Sequence, residues 1–147
     1  MKEDDSRLMW FGALLAAAYL VFGTLEVLGG IGYDGERLGD LYVQGGIMDG
    51  LVLLVIGAVF AFGWKERDDP SVFPLMGISL GTIFLVIYLV LMGANLLSLL
   101  MFGSEHVDGW TIADGMRPGI YLGVISALGG VVWRKRLSLT MLSRAGA

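Results

Sequence analysis

The chain has 147 residues, 56% of them hydrophobic, and a mean hydropathy of +0.74. Ordinary soluble domains are roughly 45–50% apolar, and the long apolar runs here leave no polar face, so a soluble helical bundle is not expected. The net charge is −4, with no cysteine and one histidine, which argues against disulfides, thiolate chemistry, haem and nucleic-acid binding.

Four runs with almost no charge predict four transmembrane helices. The first, about 8–30, has Glu26 as its one charged residue, and the third, about 74–102, has none. Both exceed the roughly 20 residues that cross a bilayer. The second and fourth, about 45–64 and 115–133, are shorter apolar runs extended by partly polar residues. The expected fold class is an all-α integral membrane protein, a four-transmembrane-helix bundle.

Basic residues are unevenly distributed between the segments that join these helices. Eight of the ten Lys and Arg fall on the side of the two termini, and the opposite loops are acidic. Because positive charge favours the cytoplasmic side, we expect a multi-pass protein of the cell membrane with both termini in the cytoplasm. The excess of Arg over Lys and the lack of Cys suggest a prokaryotic source.

The two halves of the chain resemble each other at an offset of 69 residues. Between 8–66 and 77–135, 13 of 59 ungapped positions are identical, including Tyr19 with Tyr88. We predict a tandem duplication of a two-helix hairpin, whose copies are related by a pseudo-two-fold axis along the membrane normal. The predicted units are a first repeat 1–66, a cytoplasmic linker 67–76, a second repeat 77–135 and a basic cytoplasmic tail 136–147.

Polar residues near the external ends of the helices form the candidate site. Glu26 and Asn95 occupy equivalent positions in the two repeats, and Asp49 and Arg117 begin the second and fourth helices at nearly the same level. Ionisable groups within a span are costly and usually face protein or water. Three interpretations stay open: a buried ion-pair network that fixes helix register, a small-ligand or ion site open to the outside, or side chains exposed to water.

Small and aromatic residues suggest how the helices pack. Glycines recur at four-residue spacing, which lets helix backbones approach closely within the chain or between copies. Trp64 and Trp133 end the second and fourth helices, where tryptophan anchors a span at the interface. The packing candidates are Gly46, Gly50, Gly77, Gly81, Gly115, Gly119 and Gly123.

The second external loop has several possible metal ligands. Glu105, His106, Asp108 and Asp114 lie in it, but their spacing matches no EF-hand or zinc pattern. We expect a solvated acidic loop rather than a metal site. No catalytic set and no cofactor motif is evident.

These patterns leave three classes of function open. A non-enzymatic scaffold or accessory subunit, packing with copies of itself or with other membrane subunits, is favoured by the short loops and the small-residue spacing. A small oligomeric channel or transporter would use an external polar vestibule around Glu26 and Asn95. A membrane enzyme acting on lipids would need a carboxylate pair or a metal, which only the external cluster approaches.

Overall fold

The computed structural model describes residues 3–32, 45–63, 72–103 and 110–138. Within these ranges the chain is helical and contains no strand. The helices are α1 (Glu3–Gly30), α2 (Ile47–Phe62), α3 (Val72–Phe102), the single turn α4 (Ile112–Gly115) and α5 (Pro118–Val132). A further short helical stretch covers 134–138, directly after a turn at Trp133.

Two helices begin earlier than the sequence predicts. α1 begins at Glu3 rather than near residue 8, and α3 begins at Val72, inside the expected linker. Proline is tolerated within the first turn of a helix, so Pro74 does not delay the start of α3.

The predicted fourth helix, 115–133, is interrupted at its start. α4 ends at Gly115, and Arg117 takes an extended conformation before α5 begins at Pro118. A residue that precedes proline is pushed out of the helical region, whereas proline itself fits the first helical position. The break therefore follows from Pro118.

The helices form two hairpins around one apolar core. α1 packs most extensively on α2, and α3 packs most extensively on α5; α2 and α3 join the hairpins. The core is closed by buried side chains from all four long helices, among them Leu8, Tyr19, Ile56, Ile78 and Leu122. The ring of Tyr19 stacks on that of Phe60 with centroids 5.8 Å apart.

Glycines permit the close approach of α1 and α2. A Cβ added to Gly50 would lie 2.7 Å from the carbonyl oxygen of Gly23, and one added to Gly23 would lie 2.9 Å from that of Gly50. Real side chains do not tolerate such distances. Near the same end of the hairpin, the amide of Gly46 donates a 3.0 Å hydrogen bond to the carbonyl oxygen of Glu26.

The second half of α3 is largely uncovered by the rest of the described chain. Every buried residue of this helix lies between Pro74 and Leu85. From Val86 to Phe102 most of the large apolar side chains are exposed, including Leu100 at 75%. α3 therefore has two parts, one inside the bundle and one extending along its outside.

Candidate functional site

Glu26 is a buried carboxylate near the end of α1. Its side chain is 1% exposed, and neither carboxylate oxygen has a hydrogen-bond partner among the described residues. It lies one turn before Gly30, beside the start of α2, where the amide of Gly46 donates to the carbonyl oxygen of Glu26. Buried charges are normally paired, so an unpaired one is unusual.

Asp49 and Arg117 form an ion pair that joins the two hairpins. The guanidinium of Arg117, in the extended residue before α5, donates to the carboxylate of Asp49 in the first turn of α2. The side chain of Arg117 is 37% exposed and that of Asp49 is 26% exposed, so water screens the pair in part. Tyr88 on α3 lies beside this pair and lines the same small cavity.

Glu26, Asp49 and Arg117 lie close enough for their charges to interact. Glu26 experiences the charges of both Asp49 and Arg117, although the arginine bonds to Asp49. Two carboxylates and one guanidinium carry a net charge of −1 when all are ionised. A surplus negative charge in a low-dielectric environment is costly, so the cluster favours a proton or a cation nearby.

A small cavity lies beside the ion pair and does not include Glu26. Its volume is about 180 Å³, and its lining includes Asp49, Tyr88, Asn95, Trp110 and Arg117. Asn95 is exposed, so Glu26 and Asn95, which are related by the 69-residue offset, differ sharply in environment. The polar groups form two layers. The outer layer is the cavity, whose wall includes Asn95 and Asp49, and the inner layer is the carboxylate of Glu26.

At six of the seven candidate glycines an added Cβ would lie close to another part of the chain. A Cβ on Gly77 would meet the ring of Phe60, one on Gly119 that of Tyr88, and one on Gly123 the side chain of Leu85. Gly50, Gly81 and Gly115 have similarly close neighbours. The exception is Gly46, whose added Cβ would meet only Asp49 of its own helix.

The remaining candidates divide between described and undescribed residues. The ring of Trp133 packs on that of Phe11 in α1, with centroids 5.1 Å apart. Trp64, Glu105, His106 and Asp108 lie outside the described residues, and so does the side chain of Asp114. In the ranges that are described, no group of three His, Cys, Asp or Glu is placed to hold a metal ion.

Sequence comparison gives the family. Residues 2–135 match the model of a family described as the MJ0565 integral membrane domain. The chain belongs to this family. Membership of the MJ0565 integral membrane domain family establishes that the protein is an integral membrane protein whose environment is the lipid bilayer. No match was found among curated proteins or among solved structures.

Two helices are long and apolar enough to cross the membrane, as expected for the MJ0565 integral membrane domain family. These are residues Asp5–Gly30 and the whole of α3. α2 and α5 are apolar but shorter, with 16 and 15 residues.

Sequence reasoning missed the hydroxyl groups that connect the two hairpins. Tyr19 on α1 forms a buried 2.9 Å hydrogen bond with Ser126 on α5, and Tyr88 on α3 lines a cavity together with Asp49 on α2. Each tyrosine therefore lies near a polar residue from the second helix of the other hairpin. Tyr19 and Tyr88 each begin a Tyr-Leu-Val that recurs at the 69-residue offset, which was a signal in the sequence. Their hydroxyl groups were not considered together with the charged groups.

Proposed function

We propose that this protein is a non-enzymatic membrane subunit with four spans and cytoplasmic termini. It would act as a scaffold or accessory subunit, packing with copies of itself or within a larger membrane complex. This proposal rests mainly on the uncovered half of α3.

The uncovered half of α3 supports a packing role. α3 has 31 residues, and at ~1.5 Å per residue it is about 46 Å long, against roughly 30 Å for a hydrocarbon layer. Tyr88 lines the same cavity as Asp49 and Arg117 and so lies at the level of this pair. From Tyr88, α3 continues for about 21 Å to its end. Lipid covers the part of this face inside the bilayer. A helix from another protein or a second copy would cover the rest.

Two ion pairs at opposite ends of the bundle support four spans. Asp49 pairs with Arg117 at one end, and Asp5 pairs with Arg136 at the other. The stretch from Arg117 to Arg136 corresponds to roughly 28 Å of helix, close to the thickness of the hydrocarbon layer. α5 and the helical stretch 134–138 together fill this distance, so the shortness of α5 alone does not exclude a span.

The arrangement of the hairpins supports the proposed duplication. α1 with α2 and α3 with α5 are the two most extensive helix pairs, as expected for two copies of one hairpin. Tyr19 and Tyr88 are equivalent at the 69-residue offset, and each lies near a polar residue of the other hairpin, Ser126 and Asp49 respectively.

Single-cysteine cross-linking tests the packing role, since the chain has no cysteine of its own. Leu100→Cys places a thiol on the uncovered half of α3, and Val55→Cys, at an exposed site of α2, is a matched control. In native membranes we expect a bismaleimide to join Leu100→Cys into discrete larger species and to leave Val55→Cys monomeric. A monomer for both variants, with a monomeric mass after gentle extraction, would exclude the proposal.

A second candidate function is a small oligomeric channel or transporter, and the unpaired carboxylate of Glu26 favours it. A net charge of −1 beside an external cavity provides a site for a proton or a monovalent cation. Against conduction by one copy, the next described polar pair inward is Tyr19 with Ser126, whose groups bond to each other in the core.

Flux in reconstituted vesicles tests this second candidate. Vesicles containing a pH-sensitive dye, and others containing a potassium-sensitive dye, would be subjected to ion gradients. If Glu26 binds the transported ion, Glu26→Gln abolishes the flux while Asp5→Asn, at the opposite end, preserves it. Vesicles with wild-type protein that leak no faster than protein-free vesicles would rule out transport of these ions.

A further inference from the structure

A wide groove runs between α3 and α5 at the end of the bundle opposite Glu26. Its volume is about 780 Å³, within the range of roughly 300–1,000 Å³ that is usual for ligand sites. Its wall consists mainly of apolar or small residues, namely Ile78, Ile83, Ala127, Gly130, Val131 and Leu137. The groove is open along its side, so a molecule can enter it from the surrounding bilayer.

The two hydroxyl groups that α3 contributes to the groove are bonded to the backbone of the same helix. Ser79 donates to the carbonyl oxygen of Leu75 at 3.0 Å, and Thr82 donates to that of Ile78 at 2.7 Å. Each hydroxyl has thereby used its one donor. The long wall of the groove is accordingly suited to hydrocarbon rather than to a polar ligand.

Charge is found at one end of the groove only. Arg134 lies there, next to Ser138, and the lining includes no acidic residue. Among the described residues no carboxylate pairs with Arg134, in contrast to Arg136, which pairs with Asp5. Basic pockets between membrane helices are suited to anionic lipid headgroups.

We propose that this groove binds one anionic phospholipid, with its acyl chains along α3 and α5 and its headgroup phosphate on Arg134. The apolar wall accounts for the acyl chains, and the Arg134 guanidinium, which no described carboxylate pairs with, accounts for the charge of the headgroup. Arg134 lies on the same side as Lys135 and Arg136, where the sequence predicts the cytoplasmic leaflet.

Lipid titration of the purified full-length protein in detergent tests the proposal. The midpoint of thermal unfolding would be measured with added phosphatidylglycerol and with phosphatidylcholine of the same chains. We expect phosphatidylglycerol to raise the midpoint by several degrees more than phosphatidylcholine does. Arg134→Gln should remove most of this difference, whereas Lys135→Gln, the adjacent charge outside the groove lining, should retain it.

Two further measurements separate a lipid site from simpler explanations. Gly130→Leu adds bulk to the groove wall, because a Cβ at Gly130 has its nearest neighbour, Ile78, at 3.4 Å. It should reduce lipid adducts in native mass spectra, while Val132→Leu, exposed outside the groove, should not. If Gly130→Leu fails to fold, Ala127→Leu replaces it. Glycerol phosphate, which lacks acyl chains, should give no shift.

Several outcomes would overturn the proposal. An equal loss in Arg134→Gln and Lys135→Gln would indicate general attraction to a basic surface. Equal shifts with both lipids would mean that the headgroup is not recognised. A full shift with glycerol phosphate would indicate an anion site without a role for the groove.

Discussion

The hydroxyl of Tyr19 lies 2.9 Å from Oγ of Ser126, in a contact that joins the first helix of one hairpin to the last helix of the other. Both side chains are almost completely buried, at 1% and 0% exposure. A hydrogen bond in such surroundings fixes the relative depth of α1 and α5, because sliding either helix would leave two polar groups without a partner.

Tyr19→Phe tests this contact. The variant keeps the ring that stacks on Phe60 but leaves the Ser126 hydroxyl unpaired, so we expect the free energy of unfolding to fall by about 1 kcal/mol. Tyr121→Phe is the control, since the described residues supply no hydrogen-bond partner for that hydroxyl. Unfolding in mixed micelles measures both, and equal stability of the two variants would contradict a contribution from the bond.

Glu26→Gln should leave the protein as stable as the wild type or slightly more stable. The pair of Asp49 with Arg117 remains, and the variant removes the surplus negative charge. Thermal unfolding in detergent measures the change. A loss of several kcal/mol would show instead that Arg117 depends on Glu26 for its compensation.

Removal of Arg117 should have the opposite effect. Arg117→Gln leaves Glu26 and Asp49 without a base, and we expect it to lower the free energy of unfolding by about 1–3 kcal/mol, less than for a fully buried pair. Adding Glu26→Gln to this variant should recover part of the loss. A double-mutant cycle measures the recovery, and strict additivity would mean that the two groups do not interact.

Substitutions of glycine separate close helix packing from intrinsic helix propensity. Gly50→Ala places a methyl group 2.7 Å from the backbone of Gly23, so we expect a loss of about 2–4 kcal/mol. Gly93→Ala on α3 has no neighbour within 4 Å and should be neutral or stabilising by up to about 1 kcal/mol. Unfolding measurements on both variants decide this, and two neutral variants would refute tight packing at Gly50.

Cysteine labelling tests the number of spans and their orientation. Four spans with cytoplasmic termini place Ser6→Cys and Ser138→Cys inside the cell, and Gly32→Cys and Met116→Cys outside. A maleimide that cannot cross the membrane should label only the second pair in intact cells and all four after permeabilisation. Labelling of Ser138→Cys in intact cells would contradict the proposed topology.

The long apolar runs allowed α1 and α3 to be predicted, because few other structures contain more than 20 such residues in a row. The burial of Glu26 and the exposure of Asn95 could not be predicted from their relation at the 69-residue offset. Those environments depend on which neighbours each helix has at that depth. α1 is covered there by α2, whereas α3 has no buried residue beyond Leu85.

The ion-pair partner of Arg117 could not be predicted from the sequence either. Glu26 and Asp49 lie at similar depth, and the sequence placed both near the arginine without choosing between them. Arg117 pairs with Asp49 because Arg117 is extended before Pro118 and Asp49 lies in the first turn of α2. Local backbone geometry rather than charge pattern determined the pair.

The ion pair of Asp49 with Arg117 has a consequence for the history of the chain. On the proposed duplication, the protein is a fused dimer, and an ancestral dimer of separate hairpins would have had identical residues in both copies. Met48 and Asp49 now correspond to Arg117 and Pro118. Fusion removed the requirement that both copies match, so the chain has this acid–base pair once rather than twice, because the positions equivalent to Arg117 and Asp49 are Met48 and Pro118.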